Sequence, residues 1–269
     1  MIRGNAGTLW PMSSRPNPLF PSPAIADAPE REYTFAFQPI VDTVARRIFS
    51  HEALIRGRGN EGAARVLGRI PRSRLHHFDE EGRSVAVQMA AALGIESCLS
   101  LNLLPRSLEV SHSAVLSTLR AADRHGLGSQ RIIIEVTEGE AIDDHLQFAR
   151  RIQEYRARGV KLAIDDFGAG YSGLNLLADF QPDLIKIDMN LVREIVNRGP
   201  RQAIVRAILR ACRELAIDVV AEGVETLDEY HWFENEGVRL FQGYLFARPG
   251  FESLPPVRYP DRPSNTPST

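Results

Sequence analysis

The sequence predicts an α/β fold of the (β/α)8-barrel type, on three observations. Short β-branched runs alternate with amphipathic helical stretches, which argues for parallel strands joined by helical crossovers. Eight such runs occur, which favours a closed barrel over an open doubly wound sheet. The chain has 269 residues, 43% hydrophobic and 25% charged, an ordinary globular composition of the size that single barrels reach.

Taken in order, strands are read over 33–41, 47–54, 99–103, 131–136, 160–165, 184–188, 218–222 and 240–244. Helical periodicity is read near 80–93, 112–125, 143–158, 201–215 and 227–236. The first two strands are separated only by 42–46, too short for a parallel crossover, so they are read as an antiparallel pair. Residues 1–32 hold six of the 17 prolines and residues 255–269 five more, so both ends are expected to be disordered extensions of a folded unit over 33–254.

The net charge of -2 gives no electrostatic reason to expect polymeric nucleic acid or an anionic membrane as partner. The two cysteines, Cys98 and Cys212, lie far apart and without metal-ligand spacing, which argues against a disulfide framework and fits a reducing, cytoplasmic setting. Pro11, Pro16, Pro18, Pro21 and Pro23 interrupt any signal-like apolar stretch. No run approaches the ~20 apolar residues of a membrane span, so a soluble protein is expected.

Chemistry gathers at the C-terminal ends of the strands: Glu52, Asn102, Glu135, Asp165 with Asp166, Lys186 with Asp188, Glu222 and Gln242. Buried parallel strands should be nearly uninterrupted apolar runs, yet Ile132–Ile134, Leu162–Ile164 and Val219–Ala221 each finish in a carboxylate. In a barrel those ends open on one face, where barrel enzymes build their sites. A single acid at a strand end is more often a helix cap or a loop ion pair; so many strands in succession would require repeated coincidence. Converging carboxylates repel and are costly to desolvate, which divalent cations resolve. Oxygen ligands with one amide point to Mg²⁺ or Mn²⁺ rather than zinc. Adjacent Asp165 and Asp166 allow one carboxylate to bridge two ions, and two ions roughly 3.5–4 Å apart suit in-line phosphoryl displacement. Phosphodiester hydrolysis is the chemistry suggested.

Histidine gives the competing metal signal. His76 and His77 followed by Asp79 resemble half of a ligand cluster, without a matching second half. His51 should point away from its neighbour Glu52. The segment Asp166–Ser172 is glycine-bearing but matches neither dinucleotide fingerprint nor P-loop.

Together these residues resemble the EAL phosphodiesterase family. The motifs are Gln38-Pro-Ile-Val41, Glu52-Ala-Leu-Ile-Arg56, Leu101-Asn-Leu103, Glu135-Val-Thr-Glu138, Asp165-Asp-Phe-Gly-Ala-Gly-Tyr-Ser172, Asp183-Leu-Ile-Lys-Ile-Asp188, Glu222-Gly-Val-Glu-Thr226 and Gln242-Gly-Tyr244. The resemblance implies a modified TIM-like barrel with one antiparallel strand. It further implies a homodimer that hydrolyses cyclic di-GMP to linear pGpG with two Mg²⁺ or Mn²⁺ ions; Ca²⁺, with its larger and looser coordination, is expected to inhibit. Glu52, Asn102, Glu135 and Asp165 would bind one ion, and Asp165 and Asp166 the other. Lys186 and Glu222 would orient and deprotonate water, with Gln242 nearby. Gln38, Leu54 and Arg56 would contact substrate, Glu138 would steady the glycine loop, and Asp188 and Glu225 would support the site from behind.

After Arg56 the sequence reads Gly57-Arg-Gly-Asn-Glu-Gly62, where the family commonly has a Trp and a longer stretch. This shortened segment is similar to EAL domains attached to blue-light flavin sensors, as is the stretch 179–186. No flavin-sensor domain is read in this sequence, and an upstream sensor protein is left unnamed. Ala169 and Gly173 replace a Thr and a Ser usual in the loop, and neither change removes a metal ligand. The rival readings are a catalytically silent cyclic di-GMP receptor or protein-interaction regulator, and a barrel aldolase using Lys186 as Schiff base. Neighbouring acids should raise the Lys186 pKa, which disfavours a free amine nucleophile.

Overall fold

The computed structural model describes residues 31–110, 114–137, 145–170 and 173–261. In chain order the elements are β1 (Tyr33–Asp42), β2 (Arg47–Gly57), α1 (Ala63–Leu67), α2 (Leu75–Ala92), β3 (Cys98–Asn102), α3 (Pro105–Val110), α4 (Leu116–Arg124), β4 (Ile132–Thr137) and α5 (His145–Arg156). There follow β5 (Lys161–Phe167), α6 (Gly173–Phe180), β6 (Leu184–Ile187), α7 (Met189–Val192), α8 (Gly199–Glu214), β7 (Asp218–Ala221), α9 (Leu227–Asn235), β8 (Leu240–Phe241) and β9 (Gly250–Phe251).

The strands close into an eight-membered barrel in the order β2-β3-β4-β5-β6-β7-β8-β1, because β1 pairs with both β8 and β2. All neighbours from β2 to β8 are parallel, whereas β1 is antiparallel to both its partners, as the short 42–46 link required. β9 lies outside the closed ring, against β1.

Strand side chains alternate between faces, so residues two apart share one. Ile40, Ile133, Ala163, Leu184, Val220 and Leu240 form one buried cluster, each from a different strand. Ser50 and Ser100 on β2 and β3 occupy the matching positions and hydrogen-bond each other, Oγ to Oγ, at 2.9 Å. This layer fills the barrel beneath its mouth. On every strand the next residue of the same face towards the mouth is a predicted site residue: Gln38, Glu52, Asn102, Glu135, Asp165, Lys186, Glu222 and Gln242. The larger core lies between barrel and helices, with Leu99, Ile132, Ile134, Ile185 and Ile187 facing residues such as Val87, Phe148, Val205 and Phe233.

Helices α1, α3, α6 and α7 were not anticipated. They are four to eight residues long, too short for a periodic pattern to stand out. The predicted helix over 112–125 begins, among the described residues, at Leu116. Residues 255–261, which their prolines assigned to the C-terminal tail, are packed: Val257 and Tyr259 lie against the core, and Arg258 N–H donates to Phe246 O at 3.0 Å. No described helix is long and apolar enough to cross a membrane.

Candidate active site

Lys186 is the centre of the mouth. Its side chain is 2% exposed, and its Nζ lies 2.8 Å from Glu222 Oε1, 2.9 Å from Asp165 Oδ1, 3.0 Å from Glu135 Oε2 and 3.2 Å from Glu52 Oε2. Asn102 Nδ2 donates to Glu52 Oε1 at 3.2 Å, and Gln242 Nε2 donates to Glu52 Oε2 at 2.8 Å. The structure thus brings six predicted residues from β2 to β7, with Gln242 after β8, into one cluster; Glu52 sits midway along β2, which continues to Gly57, and not at its end as read from sequence.

Asp166 joins them although it adjoins Asp165, which regular alternation would place on the other face. The β5–β6 register slips between Ile164 and Phe167, and Asp166 takes a left-handed backbone with φ 53°. Such an irregularity re-aims a side chain, and Asp is among the few residues that tolerate this conformation.

One ammonium faces four carboxylates here. Burial pushes the Glu135 carboxyl up to about 8, against the pull of Lys186, with Glu52 and Asp165 adding to the rise. Burial likewise raises Glu222 well above the ordinary carboxylate value despite Lys186. Asp166 is lifted to about 6 by burial and by Asp165 and Asp188. Burial alone would lower the Lys186 pKa, but Asp165, Glu135, Glu222 and Glu52 outweigh it and hold the ammonium charged. The site has more negative charge than Lys186 balances. Glu135 Oε1 is moreover buried without a hydrogen-bond partner. Oxygen donors from Glu52, Glu135 and Asp165 approach within 4.8 Å of one another, as do those of Asp165, Asp166 and Glu222. Two overlapping oxygen-only groups that share Asp165 fit a pair of hard divalent cations.

Two cavities flank the acids, and Glu52 and Asp166 line both. One, about 370 Å³, is walled by Leu54, Leu75 and Phe78. The other, about 350 Å³, is lined by Gln38, Met189, Arg193, Glu225 and Tyr244. Gln38 also donates from Nε2 to Ala247 O at 3.2 Å. Arg56 lines neither; its Nη1 donates to Ile55 O at 2.8 Å. Asp188 caps α7, its Oδ1 accepting from Asn190 N–H at 2.9 Å, while lining the second cavity. Glu225 pairs with Arg193. Glu138 lies outside the described residues.

The histidine signal has a structural explanation. Asp79 is bound to the buried Arg83, and His76 Nδ1 lies 3.2 Å from Ser107 Oγ. His51 turns away from the mouth, with Nδ1 2.8 Å from Ser97 Oγ, and burial lowers its pKa to about 4. Sequence reasoning missed Arg193 and Tyr244 as cavity residues. Both sit in short loop segments outside any strand end, and nothing but the fold brings them to the mouth.

A family model described as "EAL domain" matches residues 24–249. The blue light- and temperature-regulated antirepressor BluF of Escherichia coli K12 is 39% identical over 229 residues, 85% of this chain and 57% of BluF. A standalone versatile EAL protein from Vibrio cholerae O395, solved in its c-di-GMP-bound form, superposes with TM-score 0.81 at 44% identity, covering 86% of this chain and 98% of that one. Klebsiella pneumoniae BlrP1, in a manganese/cy-diGMP complex, gives TM-score 0.78 at 44% identity, covering 84% and 58%. The chain spans well under two thirds of the length of the curated relatives it matches: 57% of BluF, 50% of the probable cyclic di-GMP phosphodiesterase PdeN of E. coli K12 and 28% of a signaling protein of Caulobacter vibrioides.

Proposed function

We propose that this chain, which belongs to the EAL-domain family, hydrolyses cyclic di-GMP to linear pGpG by in-line attack of water on one phosphodiester. The observation that carries the reading is the convergence of Glu52, Glu135, Asp165 and Glu222 on Lys186, with Asn102 and Asp166 completing an oxygen-only ligand set. The c-di-GMP complexes of the V. cholerae protein and of BlrP1 support the substrate, and the manganese of BlrP1 supports the cations.

Glu52, Asn102, Glu135 and Asp165 would hold one Mg²⁺ or Mn²⁺ ion, and Asp165 and Asp166 the second. Two such ions neutralise phosphoryl charge and make water more acidic, providing a nucleophile near neutral pH. Glu222 Oε1 is the proton acceptor, placed by Lys186 Nζ at 2.8 Å. Its burial raises its proton affinity, which suits a base, and the ammonium keeps it from being protonated too firmly. Lys186, charged and fully hydrogen-bonding, orients water and does not act as an amine nucleophile. Gln242 fixes the Glu52 carboxylate through its 2.8 Å hydrogen bond. Gln38 and Leu54, lining opposite cavities, receive the two halves of the substrate.

The name of BluF, an antirepressor, favours action on a protein partner, and so a second reading in which the chain would bind the dinucleotide as a receptor without turning it over. Incubation with cyclic di-GMP and Mg²⁺ or Mn²⁺, followed by chromatography, separates the two. Linear pGpG is expected; tight binding without product would replace the enzyme with the receptor.

A further inference from the structure

Charge is spread unevenly over this chain. Its net charge is -2, yet Arg58, Arg65, Arg69, Arg72 and Arg74 stand between Gly57 and His77 against a single acid, Glu61. This is the stretch after Arg56 in which the sequence departs from the common EAL pattern. All five arginines are exposed. Glu61 is turned back into its own loop, its Oε2 accepting from Gly59 N–H at 2.8 Å and its Oε1 lying 3.6 Å from Arg69 Nη2. Arg58 Nη1 lies 3.8 Å from Glu252 Oε1. Arg65, Arg72 and Arg74 make no salt bridge among the described residues. The segment also has a definite place. Ala63 and Leu67, one turn apart on α1, and Leu75, which opens α2, line the 370 Å³ cavity beside the acids. Arg65 sits between the first two on the outward face of α1, and Arg72 and Arg74 run directly into Leu75. The arginines are therefore carried on the outer side of that cavity's wall.

We propose that Arg65, Arg72 and Arg74 form an electrostatic rim that draws the dianionic substrate to the mouth at long range, without contacting it. This rests on the cyclic di-GMP reading above and adds what supplies the attraction. At the centre of the mouth the charges cancel. Glu52, Glu135, Asp165, Asp166 and Glu222 are five carboxylates around Lys186, and that ammonium with two divalent cations would balance them. In the second cavity Arg193 and Glu225 balance each other. A molecule with two phosphate charges, still outside, thus meets a centre of no net charge, with the unbalanced arginine segment beside it. A rim of one sign raises the local concentration of an oppositely charged ligand. Such exposed charges act through solvent and are screened beyond ~10 Å at 0.1 M salt and ~3 Å at 1 M. The contribution must therefore fade in salt, and it ends once substrate is bound, so it belongs to KM and not to kcat.

The test is the salt dependence of cyclic di-GMP hydrolysis with Mn²⁺, and of cyclic di-GMP binding with Ca²⁺, which reads affinity without turnover. Wild type is compared with the triple variant Arg65→Gln, Arg72→Gln, Arg74→Gln and with the triple variant carrying Lys at the same three positions. At ~20 mM NaCl the Gln variant should show KM and Kd raised by roughly 10-fold with kcat unchanged. At ~0.5 M NaCl its KM and Kd should converge on those of the wild type. The Lys variant keeps the charge but loses the guanidinium fork, and should follow the wild type at every salt concentration. A Lys variant that behaved like the Gln variant would assign the effect to direct contact and overturn long-range attraction. Equal KM and Kd for the Gln variant and the wild type at low salt would overturn the rim, while hydrolysis by the wild type stands. Absence of hydrolysis by the wild type at any salt concentration overturns the proposed function itself, and the Kd comparison then decides the rim alone.

Discussion

Lys186→Met isolates what the central ammonium does. Methionine keeps most of the stem but removes the charge from among four carboxylate oxygens at 2.8–3.2 Å. Removing one partner of a buried ion pair costs ~3–5 kcal/mol, because the charge left behind is uncompensated. For a domain of this size that corresponds to a fall of about 6–20 °C in Tm. The penalty should depend on pH in a definite direction. Burial already raises Glu135 to about 8 and Glu222 well above its ordinary value, and loss of Lys186 raises both further. Groups with raised folded-state pKa bind more protons folded than unfolded, so stability falls as pH rises from ~4.5 through the folded values. In chelator the variant should therefore lose more Tm at pH 8.5 than at pH 6. Mn²⁺ should restore the variant by more than it stabilises the wild type, since no ammonium then competes for the same oxygens; occupancy at 100 times Kd contributes ~2.7 kcal/mol. Differential scanning calorimetry with and without chelator measures all three effects. Lys161→Met, at the chain's only other lysine, is the control. Equal Tm for wild type and Lys186→Met at pH 8.5 in chelator would refute the counter-charge argument.

Glu222→Gln should lower kcat by at least 10²-fold while retaining cyclic di-GMP binding, because the amide keeps its shape but cannot take a proton; near-normal turnover would exclude Glu222 as base. Ca²⁺ in place of Mn²⁺ should suppress turnover without preventing binding, as its longer, looser coordination would suit two ligand groups that share Asp165 poorly; a Ca²⁺-supported rate near that with Mn²⁺ would count against a paired-ion site. Gly243→Ala should cost about 3 kcal/mol or more in urea unfolding, because its Cβ would sit 2.0 Å from Val224 O and 2.4 Å from Val224 N. The same change should depress activity, since Val224 N–H donates to Gln242 O at 3.1 Å and so joins the Glu222 and Gln242 segments. Wild-type stability for that variant would show that the two segments part easily.

The barrel and its acids were legible because they obey one local rule: an apolar run that ends in a polar residue marks a strand meeting the mouth. Ile132–Ile134 before Glu135 and Val219–Ala221 before Glu222 carry that signal within four residues. Asp166 was legible as a site residue, but its reason was not, since the register slip that turns it inward depends on pairing with β6. The cavity walls were largely illegible. Phe78 precedes the helix read near 80–93 and Arg83 lies within it, but nothing in the pattern marks either as a cavity wall; Arg193 follows a four-residue helix too short to read, and Tyr244 lies beyond β8, which ends at Phe241 rather than continuing over 240–244 as read. The packing of 255–261 was missed because prolines predict the absence of regular structure, which holds there, and not the absence of contact. Val257 and Tyr259 supply that contact as isolated apolar residues.

The reversed strand explains why Gln38 is the odd member of the site. On the strands from β2 to β8 the chain runs towards the mouth, so the filling residue precedes its functional partner by two: Ser50 before Glu52, Ile133 before Glu135, Leu184 before Lys186. On β1 the order inverts, and Ile40 in the filling layer follows Gln38 at the mouth. Register agrees, since Gln38 pairs with Glu52 and Ile40 with Ser50. A parallel β1 would have carried the chain away from the bottom of β2 and needed a crossover of a dozen or more residues to reach it. With 43–46 as a tight turn instead, the hairpin contributes through the middles of both its strands, Gln38 on β1 and Glu52 on β2. A search confined to strand C-termini would pass over Gln38, which its antiparallel pairing with Glu52 sets beside the acids.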